Sequence, residues 1–200
     1  MPADLLAIQE YGEFKQALAE SGCRGCTLCE ARDRIVVDRG NPKARIMAVG
    51  EGPGAEEDAR GLAFVGRGGR LFDKLMAEAG FDTNEDLLIA NVVKCRPPEN
   101  RVPHAAEAAA CMPFLKHQFE LVSPRVIILL GATSLKYLLP SLKKTAMRDL
   151  VGKPHFDDEF PGVTFLVFYH PAYLLRDPRK QVNAREHIAL LRALVRKFGG

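Results

Sequence analysis

The sequence predicts an α/β fold with three layers, α/β/α, around a central four-stranded, mainly parallel sheet. Short apolar runs at 46–50, 87–93, 126–131 and 164–169 read as strands buried on both faces. Between them lie stretches with apolar residues at helical spacing, so strands and helices alternate along the chain. The 200 residues carry no repeat, linker or low-complexity tract, so one domain over 1–200 is expected, opening with a helix and a cysteine-bearing loop.

In chain order, Leu5, Leu6, Ile8, Phe14 and Leu18 predict a first helix over about 4–20. The loop with Cys23, Cys26 and Cys29 follows, then Arg34-Ile35-Val36-Val37 and a turn at Gly40-Asn41-Pro42. The first strand, 46–50, runs into Glu51-Gly52-Pro53-Gly54, and the acids Glu56, Glu57 and Asp58 mark a helix start. Leu71, Leu75, Met76 and Ala79 form a helical stripe that Gly80 ends. The second strand spans 87–93. A helix over 105–122 holds Cys111, with Pro113 an expected irregularity. The third strand, 126–131, leads into a short helix over 132–139. The fourth, 164–169, stops at His170-Pro171, and an amphipathic helix over 184–198 closes the chain.

Hydrophobic residues at 47% and charged ones at 26% are ordinary for a globular protein, and the net charge of +3 permits a polyanionic partner without demanding one. No apolar stretch has the length of a membrane span, and Met1-Pro2-Ala3-Asp4 lacks the design of a secretion signal, so no membrane partner and a cytoplasmic location are expected. The five cysteines are too sparse for a disulfide scaffold. Cys23-x-x-Cys26-x-x-Cys29 with the distant Cys95 and Cys111 instead suits zinc or an iron–sulfur cluster, with one thiol more than four positions need.

The loop after the first strand loosely fits a dinucleotide fingerprint, Gly50-x-Gly52-x-x-Ala55. Electrostatics oppose that reading. A pyrophosphate needs an electropositive helix start, whereas here Glu56, Glu57 and Asp58 would repel it and Pro53 removes an N–H. In a parallel sheet the ligand crevice lies at the carboxyl ends of the strands. Those ends carry Gly50-Glu51-Gly52, Asn91, Gly131 and His170-Pro171. Glu, Asn and His beside the aromatic Phe64 suit a small, polar, planar ligand.

Taken together, several pieces resemble the family 4 uracil-DNA glycosylases, the iron–sulfur branch of that superfamily. They are Cys23-x-x-Cys26, Gly50-Glu51-Gly52-Pro53-Gly54 with Glu57-Asp58, and Gly61-x-x-Phe64-Val65-Gly66. Asn91-Val92-Val93-Lys94-Cys95-Arg96-Pro97-Pro98 follows with Asn100-Arg101, then Cys111, Gly131-Ala132 and His170-Pro171-Ala172-Tyr173-Leu174-Leu175-Arg176. The resemblance implies a [4Fe–4S] cluster on Cys23, Cys26, Cys95 and Cys111, leaving Cys29 over. It also implies removal of uracil from double- or single-stranded DNA by a monomer.

On that resemblance, deoxyuridine leaves the helix and enters a pocket, because a stacked glycosidic bond is out of reach. Phe64 would stack on the uracil. Asn91 would donate to O4 and accept from N3–H, a pattern that cytosine reverses; such a mismatch costs about 1–3 kcal/mol. Uracil binding would thus involve Gly50, Glu51, Gly52, Phe64, Asn91 and His170. Glu51 or Glu57 would activate water or stabilise the cationic sugar, Asn100 would position the water, and a neutral His170 would stabilise the leaving anion. Relatives outside family 4 offer an Asp where this chain has Gly52, so their usual base is missing.

For DNA, Tyr173, Leu174 and Leu175 would wedge into the minor groove, while Arg67, Arg70, Arg176, Arg179 and Lys180 would meet phosphates. A relative that traps uracil sites covalently carries a histidine-bearing insertion between the last two cluster cysteines. The Cys95–Cys111 interval lacks it and offers only His104. Two other functions fit the cysteines: an iron–sulfur electron carrier or redox sensor, and a non-catalytic nucleic-acid-binding module with structural zinc.

Overall fold

The computed structural model describes residues 3–197, so Met1, Pro2 and the expected helix end at Phe198 lie outside the described residues. β1 (Asp38–Gly40), β2 (Ile46–Gly50), β3 (Leu87–Asn91), β4 (Val126–Leu130), β5 (Pro154–His155) and β6 (Thr164–Phe168) form one sheet in the order β1-β3-β2-β4-β6-β5. The four predicted strands are its parallel centre, β3-β2-β4-β6, in register from Ile46 beside Leu87 and Val126 to Leu129 beside Val167.

The sheet has six strands, not four. The extra two are short antiparallel edges, with Asp38 opposite Ala90 and Pro154 opposite Leu166. Neither has an apolar run, because an edge strand is not buried on both faces; β5 even starts on proline, which a central strand would not tolerate.

The helices are α1 (Tyr11–Glu20), α2 (Ala55–Arg60), α3 (Arg67–Glu78), α4 (Ala105–Val122), α5 (Ala132–Leu138), α6 (Met147–Leu150), α7 (Pro171–Arg176) and α8 (Gln181–Lys197). The expected first helix over 4–20 is instead a 3-10 turn, Ala3–Ala7, followed by α1. At about 100° per residue, Leu5 would stand opposite Phe14 on one straight helix. The break lets Leu5, Phe14 and Leu18 all enter the same core. Pro113 lies inside α4, which runs its expected 105–122.

The alternation of the strands splits the interior in two. Met47, Val49, Leu88, Ala90, Ile127 and Leu129 pack with α1, α4 and α5. Ile46, Ala48, Leu87, Ile89, Val126 and Ile128 pack with α3, α7 and α8. Helices on both faces make the three layers. No helix among the described residues is long and apolar enough to cross a membrane.

Candidate active site

The central strands end together, and the loops beyond their tips converge on one place. Glu51, Gly52, Phe64, Asn91, Asn100 and His170 all line a single hollow over the carboxyl ends of β2, β3 and β4. Gly50, expected against the uracil, does not itself line the hollow but makes room for two residues that do. A Cβ there would lie 2.6 Å from Asn91 Oδ1 and 2.6 Å from Phe64 Cζ, so only glycine lets both side chains close over the strand. Beyond the ladder, the Val92 amide donates to the Gly50 carbonyl at 3.0 Å and the Val93 amide to the Glu51 carbonyl at 3.2 Å. The glycine loop is thereby tied to the segment that carries Asn91.

Asn91 is 1% exposed, and neither its Oδ1 nor its Nδ2 has a hydrogen-bond partner among the described residues. Such a buried amide costs about 1–3 kcal/mol unless something pairs with it. Its backbone is held from beneath, where the buried Lys94 Nζ donates to the Asn91 carbonyl at 2.9 Å and to Gln118 Oε1 at 2.5 Å. A fixed donor–acceptor pair facing an open hollow is a template for one edge of a planar heterocycle.

Phe64 and His170 both line that hollow as neighbours, ring centroids 6.0 Å apart and planes inclined by 45°. Phe64 holds a left-handed backbone, φ 54°, unusual for a bulky residue and a mark of local strain at a functional position. His170 caps α7, and its Nδ1 accepts the Ala172 amide at 3.2 Å. Burial, assisted by the nearby Arg176 charge, pushes its pKa down to about 4. The ring is neutral near pH 7, and because Nδ1 accepts, the proton sits on Nε2. Gly131, at φ 94°, brings the end of β4 against this histidine; a Cβ would sit 2.9 Å from His170 Cβ.

The two carboxylates differ. Glu51 is half-buried, and its Oε2 accepts the hydroxyl of Thr133 from the first turn of α5. Glu57 Oε2 accepts the Gly54 amide at 3.1 Å and Oε1 the Gly66 amide at 2.6 Å. It therefore staples the glycine loop to the loop leading into α3, and occupies amides that a pyrophosphate would have needed. Asn100, at φ 56°, lines the hollow, and its Oδ1 accepts from Arg96 Nε at 2.9 Å.

A second hollow, on the other side of the Asn91 segment, is lined by Cys23, Cys26, Cys95 and Cys111 together with the apolar Leu18, Ile35 and Phe114. Cys29 is not among its lining residues. Burial pushes the Cys95 thiol up to about 12 and the Cys111 thiol up to about 11, so a cationic group is needed to hold them as thiolates. Two donors already face the sulfurs: Arg32 Nη1 is 3.3 Å from Cys95 Sγ, and the Lys94 amide is 3.3 Å from Cys111 Sγ. Among the described residues, no three His, Cys, Asp or Glu side chains converge closely enough to hold one metal ion. The four thiols share one hollow, and sulfur donors of this kind suit a soft-metal group.

Comparison with known proteins bears on this geometry. The family model described as the uracil DNA glycosylase superfamily matches residues 37–194. The chain belongs to the uracil DNA glycosylase superfamily. A type-4 uracil-DNA glycosylase of Thermotoga maritima is 42% identical over 179 residues, spanning 88% of this chain and 91% of that protein. Another type-4 enzyme, from Saccharolobus solfataricus, is 41% identical over 160 residues, 78% of this chain and 74% of that protein. A type-5 uracil-DNA glycosylase of Pyrobaculum aerophilum is 30% identical over 155 residues, 70% and 67% of the two.

Within this superfamily member, the residues expected at a DNA rim are partly rearranged. Arg67 and Arg176 are exposed and line the hollow. Arg70 does not line it; its guanidinium pairs with Glu56 at 2.8 Å and donates to the Val65 carbonyl at 2.8 Å. Lys180 is half-buried in the turn Pro178–Lys180, also away from the hollow. Leu174 is corrected outright: it is 3% exposed and packs into the core between sheet and helices, so it cannot serve as a wedge. Its neighbours Tyr173 and Leu175 are half-buried, with the Tyr173 ring against Tyr169 at 5.2 Å. His104 is an exposed residue capping α4.

Sequence reasoning gave no role to Thr133, Arg101 or Glu107. Thr133 follows the Gly131 strand tip as Glu51 follows Gly50, a parallel that could have found it. Arg101 lines the hollow and donates twice to Glu107, at 2.8 and 2.7 Å, while Glu107 also accepts Thr27 Oγ1 at 2.9 Å. Through Glu107, the cysteine loop, the start of α4 and the Asn100 segment are fastened together. No spacing in the sequence announces that junction.

Proposed function

We propose that this chain is a DNA-repair glycosylase that extrudes deoxyuridine and hydrolyses its N-glycosidic bond, releasing uracil and leaving an abasic site. The observation that carries this reading is the unpaired, buried Asn91 amide at the end of a hollow shared with Phe64 and His170. Uracil meets it with O4 as acceptor and N3–H as donor. Cytosine presents both with the wrong sign, and the discrimination per such pair is about 1–3 kcal/mol.

Extrusion places the base against the Phe64 ring and the glycosidic bond near Glu51. As the C1′–N1 bond lengthens, positive charge grows on the sugar and negative charge on the uracil. The Glu51 carboxylate offsets the first and orients the attacking water. His170 Nε2–H donates to O2 and stabilises the second. Water adds at C1′, its proton passes to carboxylate and solvent, and uracil departs as the anion or its conjugate acid. Glu57 acts by holding the two loops, and Asn100 steadies the water.

Arg67 and Arg176 meet phosphates on either side of the extruded nucleotide, with Tyr173 and Leu175 entering the space it leaves. Cys23, Cys26, Cys95 and Cys111 hold a [4Fe–4S] cluster, whose contribution is to pin the N-terminal loop beneath the Asn91 segment. A cytoplasmic monomer acting on both double- and single-stranded DNA completes the reading. Incubating purified protein with a labelled oligonucleotide carrying one uracil, then with alkali, tests it: cleavage at the uracil is expected, and intact strands would overturn it.

A further inference from the structure

We infer that Thr133 is a positioning residue for glycosidic cleavage, its hydroxyl setting the Glu51 carboxylate toward the sugar. The inference rests on the role proposed for Glu51 and extends it to the residue that holds it. β2 and β4 are adjacent and parallel, with Val49 beside Leu129, so the segments after their tips rise side by side. Glu51 stands just past one tip, and Thr133 occupies the first turn of α5 just past the other. Both line the hollow, and Thr133 Oγ1 donates to Glu51 Oε2.

A threonine hydroxyl has a single proton, and here it goes to the carboxylate. The β-branched side chain in a helix turn leaves few rotamers, so the direction of that proton is fixed by the backbone. The neighbouring Ser134 hydroxyl turns away to the Gly131 carbonyl at 3.1 Å, leaving Thr133 as the hydroxyl of this turn that serves the site. Glu51 sits on a loop, has several rotatable bonds and is half-buried. Tying Oε2 down selects one of its rotamers and leaves Oε1 for the sugar and the water.

The test uses the holoprotein and a double-mutant cycle. Single-turnover uracil release is measured for wild type, Thr133→Val, Thr133→Ser, Glu51→Gln and the Val/Gln double variant. Affinity for duplex DNA carrying 2′-fluoro-2′-deoxyuridine, which resists cleavage, is measured alongside. Thr133→Val, nearly the same shape, should slow release by about tenfold or more, the size expected for one hydrogen bond to a charged group, with DNA affinity changed less than about twofold. Thr133→Ser should recover most of the rate. In the Glu51→Gln background the valine should make no further difference. A wild-type rate for Thr133→Val, failure of serine to rescue, or equal losses in both backgrounds would each overturn the inference. Failure of the parent reading looks different: either wild type releases no uracil, or Glu51→Gln alone keeps the full rate.

Discussion

The amide of Ala172 donates to His170 Nδ1 at 3.2 Å, and this one bond decides which nitrogen of the imidazole faces the hollow as a donor. Burial first, and the Arg176 charge second, hold the ring neutral down to about pH 4. An imidazole with its only proton on Nε2 can stabilise a developing anion without itself giving up that proton.

That depressed pKa makes stability depend on pH. Unfolded, the histidine takes a proton near pH 6.5; folded, only near 4. Between those values the unfolded chain binds more protons, so stability is complete above pH 6.5 and falls as pH drops toward 4, by about 3 kcal/mol across the window. Urea unfolding of wild type and His170→Gln at pH 7 and 4.5 reads it. The difference between the two proteins should change by most of that amount, and uracil release should show no loss from His170 protonation between pH 5 and 8.

Glu51 and Glu57 should separate by what they change. Glu57 accepts two backbone amides, so Glu57→Ala should lower stability by about 1–3 kcal/mol and loosen the glycine loop. Glu51→Gln should leave the thermal midpoint nearly unchanged while slowing single-turnover release by about 100-fold. Calorimetry together with rapid-quench kinetics on both variants checks the division.

Burial assigns opposite behaviours to the neighbours Leu174 and Tyr173. Leu174→Ala opens a cavity in the core and should cost about 2–5 kcal/mol of stability, with similar effects on paired and single-stranded substrates. Tyr173→Ala should leave stability nearly intact and reduce excision from duplex DNA more than from single strands, because only the duplex has a stack to fill. Excision rates on the two substrate forms distinguish them.

The four central strands and the shared hollow were legible because fully apolar runs admit one reading, and because parallel strands place their carboxyl ends together. Asn91, Glu51 and His170 could be chosen on that ground alone. Leu174 shows where periodicity stops informing: on a short helix, residues one position apart face different ways, and only packing decides which of Tyr173, Leu174 and Leu175 is turned inward. The same holds for Glu57, whose bonds to Gly54 and Gly66 come from the folding of two loops upon each other. β1 and β5 carry no apolar signature, and the out-of-phase Leu5 and Phe14 conceal the break in the first helix.

The cysteines should divide four to one. Cys111→Ser removes a lining thiol of the second hollow and should abolish the broad visible absorption of an iron–sulfur protein and lower the thermal midpoint. Cys29→Ser, outside that lining, should preserve the spectrum and uracil release. Iron and sulfide analysis of both variants checks the assignment.

The central claim is that an otherwise unpaired amide reads the edge of an extruded uracil, and Asn91→Ala addresses it most directly. Free uracil released from a single-uracil duplex in one turnover should fall by about 100-fold or more, since one edge contact and its exclusion of water are both lost. The thermal midpoint should hold or rise, because a buried group without a partner has been removed. Release within twofold of wild type by a folded Asn91→Ala protein would contradict the account.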